Sequence, residues 1–340
     1  MILAAIVGLG WWGQTLIEAA AGSAHLRFTV VVSRHPTAEI ERRAKDHGLR
    51  LVRTFADAVA ANDVDAVVLA TPPTTHAGEV VAAAQAGKHV YCEKPFTLNK
   101  KDAALAVDAM RKAGKTLALG YNRRFHPDMT NLRQMIRSGE LGTICHLEAT
   151  MTVPNALLLK PDAWRADREE APCGGLAPLG VHAIDGMIDL CGPIEEVYCQ
   201  SFRRAVTVPT DDTTSILFRM KAGMSAYVGT MMATGPGFSF SVYGSKGWVR
   251  FEGTTHLAGA SSEERRTTLF GTCKFQPVQG EARVWQAAKL DIIRETLDAF
   301  AVAAEGGAAF LIPVDEMVHG AAVTEAVIRS AQSHAIVPVP

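Results

Sequence analysis

Residues 2–13 read I-L-A-A-I-V-G-L-G-W-W-G, a short apolar run that leads straight into three glycines spaced G-x-G-x-x-G. A continuous apolar run of this length is typical of a strand that is buried on both faces of a sheet. Gly8 suits a tight turn after the strand, Gly10 lets a bound group approach the backbone, and Gly13 lets the next helix pack closely on the strand. The stretch therefore predicts the first strand, loop and helix of a parallel α/β sheet.

The first third of the chain continues this alternation of short apolar runs and longer amphipathic stretches. The predicted strands are Ile2–Val7, Phe28–Val32, Leu51–Arg53, Ala66–Ala70, His89–Tyr91 and Thr116–Leu119. Helical patterns lie between them near residues 12–22, 37–47, 56–61, 75–86 and 99–113. Strands that alternate with helices indicate βαβ units, so residues 1–122 are predicted to form a Rossmann domain with a doubly wound parallel sheet.

The pattern changes after residue 122, where strands with one polar face follow a single helix. The predicted helix is Pro127–Ser138, and the predicted strands are Ile144–Val153, Val197–Phe202, Thr213–Arg219, Ser225–Met231, Phe238–Tyr243 and Trp248–Glu252. Two helices, Glu281–Ala304 and Asp315–Ser333, are predicted to end the chain. Alternating polarity indicates an antiparallel sheet that is covered on one face only. We therefore predict a second, α+β domain over residues 123–340 with a large, mostly antiparallel open sheet.

The overall composition narrows the class of protein. Of 340 residues, 48% are hydrophobic and 20% are charged, and the formal net charge is −1, so nothing favours a nucleic acid or a membrane surface as a partner. The six cysteines form no C-x-x-C and no metal-type pairing, and the apolar N-terminus lacks the basic segment and cleavage site of a signal peptide. We expect reduced thiols, no metal site, no membrane-spanning segment and a cytoplasmic location.

The glycine loop also predicts a ligand. In a strand–loop–helix setting it places backbone N–H groups and a helix N-terminus against a dinucleotide pyrophosphate, so the predicted site includes Leu9, Trp11 and Trp12 between the three glycines. NAD-binding folds usually carry Asp or Glu at the end of the second strand, where it binds the ribose hydroxyls. Ser33 and Arg34 stand there instead, and a guanidinium suits a 2′-phosphate. The sequence therefore favours NADP(H), with NAD(H) as the alternative.

Five further motifs follow the glycine loop along the chain. They are A-T-P-P-T-T-H (70–76), C-E-K-P-F (92–96), G-Y-N-R-R-F (120–125), W-R (164–165) and G-V-H-A-I-D (180–185). In this order they resemble the landmarks of the Gfo/Idh/MocA oxidoreductases, and the resemblance covers nearly the whole chain. Members of that family oxidise or reduce sugars, cyclitols and related polyols with a nicotinamide cofactor. The resemblance implies the same activity here, and a homodimer or homotetramer formed through the sheet of the second domain.

The resemblance also implies roles for individual residues. Lys94 would contact the reacting oxygen, in a turn whose next residue is often a cis proline, and His182 would transfer the proton. Glu93 would help to hold the nicotinamide ribose, and His76 would make a packing or ribose contact. The other cofactor contacts that the family implies are Lys94 itself, Thr71, Pro72, Asn122, Trp164 and Arg165. The candidate substrate-binding residues are Lys94, Arg124, His182 and Asp185.

One position departs from the family pattern. The family usually carries an aspartate four residues before the catalytic histidine, and this chain has Pro178 there. Proline suits the first turn of a helix, but it can neither accept a hydrogen bond from a substrate hydroxyl nor orient His182. Asp185, one turn later, could reach the histidine, and Asp162, Asp167 or a tyrosine could compensate from elsewhere. The departure leaves two alternatives open, a dinucleotide sensor without turnover and a dehydrogenase that acts on a dihydrodiol or a glycoside.

Overall fold

The computed structural model describes residues 1–161, 163, 166–255 and 261–340. Contacts divide the chain into two compact units: the first comprises residues 1–122 and 291–318, and the second comprises residues 123–290 and 319–340. The sequence analysis assigned all of residues 123–340 to the second domain, and the structure differs from that assignment for residues 291–318.

The first unit contains a six-stranded sheet in which every neighbouring pair of strands is parallel. Its strands are β1 (Ile2–Val7), β2 (Leu26–Val32), β3 (Arg50–Val52), β4 (Ala66–Leu69), β5 (His89–Cys92) and β6 (Leu117–Leu119). They lie in the order β3-β2-β1-β4-β5-β6, which is the doubly wound arrangement with β1 and β4 at its centre. The predicted Rossmann sheet is confirmed, with strand ends that differ from the prediction by no more than two residues.

The second unit contains a nine-stranded sheet. Its strands are β7 (Ile144–Thr152), β8 (Ile194–Phe202), β9 (Thr213–Met220), β10 (Ser225–Met231), β11 (Gly237–Gly244), β12 (Gly247–Gly253), β13 (Thr272–Pro277), β14 (Arg283–Gln286) and β15 (Val337–Pro338). Their order is β14-β13-β12-β11-β7-β10-β9-β8-β15, and only the pair of β7 and β10 is parallel among the described strands. The predicted large, mostly antiparallel sheet is therefore confirmed.

Helices connect or cover these strands. They are α1 (Trp11–Ala20), α2 (Ala38–Asp46), α3 (Phe55–Val59), α4 (Pro73–Gln85), α5 (Lys100–Ala113), α6 (Pro127–Arg137), α7 (Val181–Cys191), α8 (Ser262–Thr267), α9 (Ile292–Ala304) and α10 (Val314–Ser333). Local chemistry sets their ends: at α5, for example, the Asn99 side chain accepts a hydrogen bond from the Asp102 N–H, and Gly114 ends the helix at φ +62°.

Helix α9 explains why the chain returns to the first unit. It packs against α1, β2 and β5, and Phe300 on α9 is fully buried with its ring centroid 5.8 Å from that of Tyr91. Arg294 adds a hydrogen bond of 2.7 Å from Nε to the Ala19 carbonyl at the end of α1. An apolar helix face with these partners belongs to the core of the first unit.

The prediction of one long helix over Glu281–Ala304 is wrong. Residues Arg283–Gln286 form strand β14, and the helix begins only at Ile292. Asp128 on α6 holds the intervening segment, because its carboxylate accepts from Trp285 Nε1 at 2.7 Å and from the Ala288 N–H at 3.0 Å. The Asp291 side chain then accepts from the Arg294 N–H and so marks the true N-terminus of the helix.

Candidate cofactor and catalytic site

The glycine loop has the geometry that a pyrophosphate site requires. Gly8 lies at φ +94°, and a Cβ atom built on it would lie 2.8 Å from the Ala70 carbonyl oxygen. A Cβ on Gly13 would lie 2.1 Å from the Gly8 carbonyl oxygen, whereas one on Gly10 would meet no atom within 4 Å. Gly10 is also the N-cap of α1 and offers no side chain to its first N–H groups. The loop therefore leaves an open backbone cradle at a helix N-terminus, which fits a dinucleotide.

The residues between the glycines differ in exposure. Leu9 is buried, Trp12 is partly buried, and Trp11 is 53% exposed, with its ring centroid 5.3 Å from that of Trp12. Such an exposed indole at the N-terminus of α1 would report the binding of a dinucleotide by a change in its fluorescence.

The end of β2 carries Ser33 and Arg34, as the sequence indicated, and Arg34 is exposed. Its positive charge acts on Glu79 of α4, a residue that the sequence analysis did not select. Glu79 Oε2 accepts hydrogen bonds from the Thr71 hydroxyl at 2.6 Å and the Thr75 hydroxyl at 3.2 Å. Burial raises the pKa of Glu79, while these two hydroxyls and Arg34 act in the opposite direction. An acidic residue, Glu79, therefore lies near the carboxyl end of the parallel sheet, but it comes from α4, whereas NAD-binding folds usually carry it directly after β2.

His76 ties the loop after β4 to the turn after β5. Its Nδ1 lies 3.0 Å from the carbonyl oxygens of both Pro95 and Phe96, and its Nε2 lies 2.9 Å from the carbonyl oxygen of Thr71. The side chain is only 1% exposed. These contacts correspond to the packing alternative that the sequence left open for His76. Pro72, another predicted cofactor contact, is the N-cap residue of α4.

The turn after β5 contains Glu93, Lys94 and Pro95, and the peptide bond between Lys94 and Pro95 is cis. Glu93 is 4% exposed, and its Oε2 accepts a hydrogen bond of 3.3 Å from the Lys94 backbone N–H. Burial raises the pKa of Glu93 to about 7, against the opposing effects of the Trp12 indole and the Lys94 ammonium. A Cβ on Gly120 would lie 2.6 Å from Glu93 Oε1, so glycine is needed there to leave room for this carboxyl group.

His182 lies in the first turn of α7, as the sequence predicted, and is partly exposed. A π-helical turn, Leu176–Gly180, leads directly into the helix and contains Pro178. Proline fits this turn because it needs no backbone donor of its own. The predicted catalytic residues therefore sit at the turn after β5 in the first unit (Lys94) and at the start of α7 in the second (His182).

Arg124 and Asp185, two predicted substrate-binding residues, contact each other in the second unit. Arg124 Nε lies 2.9 Å from Asp185 Oδ2, and its terminal nitrogen lies 2.6 Å from Oδ1. A second bidentate pair joins Arg133 of α6 to Asp189 of α7, at 3.1 and 2.6 Å, and Arg124 also lies 3.5 Å from Asp189. Exposure of these side chains ranges from 2 to 11%, so α6, α7 and the 3-10 turn Asn122–Phe125 share a buried ion-pair network.

Of the remaining predicted cofactor contacts, only Asn122 lies within the described residues. Asn122 is 7% exposed and begins the same 3-10 turn, next to the end of β6. Trp164 and Arg165, predicted cofactor contacts, and Asp162 lie outside the described residues.

Within the described ranges, no group of three or more His, Cys, Asp or Glu side chains is arranged to hold a metal ion. No described helix is long and apolar enough to cross a bilayer.

Comparison with known proteins identifies the family. Residues 2–121 match an oxidoreductase family with an NAD-binding Rossmann fold, and residues 129–250 match the GFO/IDH/MocA C-terminal domain. The chain is 28% identical over 320 residues to the rhizopine catabolism protein MocA of Rhizobium meliloti, which covers 89% of this chain and 86% of that protein. It is 29% identical over 256 residues to inositol 2-dehydrogenase of Rhizobium meliloti strain 1021, at 73% and 74% coverage.

A solved structure agrees with these matches. A protein from Desulfitobacterium hafniense, described as a proposed NADPH-dependent oxidoreductase, superposes with a TM-score of 0.89 at 25% identity, over 99% of this chain and 97% of that one. The Rossmann sheet, the glycine cradle and the matched families together define an NAD(P)-dependent oxidoreductase. The chain belongs to the Gfo/Idh/MocA family, as its ordered motifs indicated.

Proposed function

We propose that this protein transfers hydride between NADP(H) and a secondary alcohol or ketone of a sugar, a cyclitol or a related polyol. The observation that carries the proposal is the turn after β5, where Lys94 follows the buried Glu93 at the carboxyl end of the parallel sheet. When bound, the nicotinamide would accept or donate the hydride. NAD(H) is the alternative cofactor, because the family to which the first unit belongs is described as NAD-binding.

Each proposed catalytic residue has one task. In the oxidation direction His182 would accept the proton of the substrate hydroxyl, and the carbon that bears this hydroxyl would give up its hydride to the bound cofactor, so that a ketone forms. The Lys94 ammonium donates a hydrogen bond to the oxygen and stabilises the negative charge that develops on it. The glycine loop, Thr71, Pro72 and Glu93 bind the cofactor, and Asn122, Trp164 and Arg165 are proposed contacts near its nicotinamide end.

A turnover screen tests this function directly. Purified protein would be given NADP⁺ or NAD⁺ with sugars, cyclitols and diols, and reduced cofactor would be followed by its absorbance. We expect oxidation of at least one polyol.

A second candidate, a dinucleotide sensor that binds without turnover, is favoured by Pro178, which lacks the hydrogen-bonding capacity of the family aspartate. Binding of NADPH with no turnover across the whole screen would establish that sensor. Turnover confined to dihydrodiols or glycosides would instead establish the other substrate class.

The cofactor preference makes a sharper prediction. Replacing Arg34 with aspartate should weaken NADPH binding by about 1.5–3 kcal/mol, since one charge-assisted contact to the 2′-phosphate is lost, and should reverse or erase the preference over NADH. Titration calorimetry with both cofactors measures the two dissociation constants. Arg27→Asp is the matched control, because Arg27 is an exposed arginine at the opposite end of β2, the strand that Arg34 follows. Equal affinities of the wild-type protein for NADPH and NADH would refute the role of Arg34.

We also propose that two or four copies associate through the open face of the nine-stranded sheet. That face carries the exposed apolar side chains Phe202 and Leu217, at 47% and 52% exposure, and a cluster in which Arg250 lies 5.3 Å from the Trp248 ring centroid and hydrogen-bonds Tyr243. Light scattering at micromolar concentration should return the mass of a dimer or tetramer. A monomer mass would contradict the proposal.

We also propose that the protein is located in the cytoplasm.

A further inference from the structure

Glu79 is an acidic residue that the proposed function leaves without a task. It lies in the second turn of α4, and its Oε2 accepts hydrogen bonds from the Thr71 hydroxyl at 2.6 Å and the Thr75 hydroxyl at 3.2 Å. Its other carboxylate oxygen, Oε1, accepts no hydrogen bond from any residue that the structure describes. The protein therefore fixes the carboxylate through one oxygen and leaves the other as an acceptor.

The contact with Thr71 ties Glu79 to the glycine cradle. A Cβ atom built on Gly8 would lie 2.8 Å from the Ala70 carbonyl oxygen and 3.7 Å from the Thr71 nitrogen, so the loop after β4 lies against the turn after β1. Strand β1 lies between β2 and β4 in the sheet. Because neighbouring strands are roughly 4.8 Å apart, the carboxyl ends of β2 and β4 are separated by about 10 Å, one on each side of that turn.

Arg34 stands on the β2 side of this turn, two residues after the strand ends at Val32. It is exposed, and it forms neither a hydrogen bond nor an ion pair with a described residue. Its charge still acts on Glu79, where it opposes the rise in pKa that burial causes. Rossmann folds bind the ribose of the adenosine half near the end of β2, through an acid for a free 2′-hydroxyl or an arginine for a 2′-phosphate. This protein carries one of each, from two different elements.

The two charges act in opposite directions on a 2′-phosphate. Such a group carries roughly two negative charges at neutral pH, so the Arg34 guanidinium attracts it and the Glu79 carboxylate repels it. For a dianion about 10 Å from a carboxylate, in surroundings between bulk water and half its dielectric constant, this repulsion weakens binding roughly 3–20-fold. A free ribose hydroxyl carries no charge and can donate a hydrogen bond to a carboxylate oxygen, so Glu79 does not weaken the binding of NAD(H).

We propose that Glu79 is a specificity-determining residue of the cofactor site, one that disfavours NADP(H) and so moderates the preference that Arg34 creates. The proposal rests on the proposed function, because it requires that the glycine cradle binds a nicotinamide dinucleotide. The opposing charges leave NADP(H) the preferred cofactor, by a smaller factor than Arg34 alone would give.

Removal of the charge tests this role. Glu79→Gln keeps the size of the side chain and an oxygen that accepts from Thr71 and Thr75. Calorimetric titration of the full-length protein would compare NADPH with NADH, and adenosine 2′,5′-bisphosphate with adenosine 5′-monophosphate as probes of the adenosine half alone. The variant should bind NADPH and the bisphosphate roughly 3–20-fold more tightly than the wild type, whereas the dissociation constants for NADH and the monophosphate should change less than about twofold. Glu79→Ala, a second variant without the charge, should move the ratio in the same direction.

Glu18→Gln is the matched control. Glu18 is a partly buried glutamate on α1 that accepts a hydrogen bond of 3.0 Å from Gln14 Nε2, and its replacement should leave the ratio of the NADPH and NADH dissociation constants unchanged. A purely structural role of Glu79, as an anchor for its two hydroxyl donors, would weaken both cofactors together and lower the melting temperature. That result would overturn the proposal, as would an unchanged ratio in Glu79→Gln.

The Arg34 variant separates this inference from the function on which it rests. Loss of the NADPH preference in Arg34→Asp, with an unchanged ratio in Glu79→Gln, would reject the role of Glu79 alone. Binding of neither cofactor by the wild type would reject the proposed function together with it.

Discussion

Replacing Lys94 with alanine is expected to lower kcat by roughly 10²–10⁴, and His182→Ala should do the same. Without Lys94, no ammonium donates a hydrogen bond to the reacting oxygen, and the negative charge that develops there is less stabilised. Without the imidazole of His182, the hydroxyl proton has no acceptor. Dinucleotide affinity should fall much less in both variants, because the glycine cradle at α1 and the end of β2 remain intact. Steady-state kinetics with an identified substrate, together with calorimetric cofactor binding, measures both effects.

The pH profile assigns the base. Oxidation by the wild type should slow as the pH falls, since a protonated imidazole cannot accept the proton, and this dependence should disappear in His182→Ala. Lys112→Ala, at an exposed lysine on α5, is the control, and it should leave the rate of oxidation and its pH dependence unchanged. Full turnover by His182→Ala would place the base elsewhere in the protein. Pro178→Asp restores the family's acid, and a gain of activity on an ordinary cyclitol would show that Pro178 restricts the substrate range.

Removal of the Asp189 carboxylate should cause the largest loss of stability. Asp189→Ala leaves Arg133 without its bidentate partner, and a buried ion pair that loses one member typically costs about 3–5 kcal/mol of unfolding free energy. Urea unfolding followed by far-UV circular dichroism measures the loss, and hydrogen exchange of the α6 and α7 amides should locate it in the second unit.

A surface pair provides the control for this loss. Asp108→Ala removes an exposed contact to Arg111 on α5, with side chains 54% and 65% exposed, and should change stability by about 0–1 kcal/mol. The double change Arg133→Met with Asp189→Leu should recover most of the stability, because both charges are then removed together. An Asp189→Ala variant as stable as the Asp108→Ala control would contradict the buried network.

The first unit was predictable because each of its strands is an apolar run that a turn or a glycine ends locally. The second unit shows the limit of that reasoning. Residues 281–304 contain good helix-forming residues, yet hydrogen bonds from Trp285 and the Ala288 N–H to Asp128 hold part of them as a strand and a loop. A contact with a residue more than 150 positions away overrides local propensity and leaves no trace in the segment itself.

The candidate site shows the same limit. Gly8, Lys94 and His182 could be selected from motifs because their surroundings are encoded in neighbouring residues. Glu79 could not, since what marks it is the charge of a distant partner, Arg34. Likewise Arg124 and Asp185 were selected as substrate contacts without any sign in the sequence that they contact each other.

The return of α9 to the first unit has a consequence for biosynthesis. Residues 1–122 leave the ribosome before 291–318 have been made, and the 168 residues between them take roughly 8–34 s to translate. During that interval the surface that Phe300 covers, including the ring of Tyr91, has no partner from its own unit. The nascent Rossmann sheet therefore spends seconds with an exposed apolar patch, and it is in this window that a chaperone would recognise the chain.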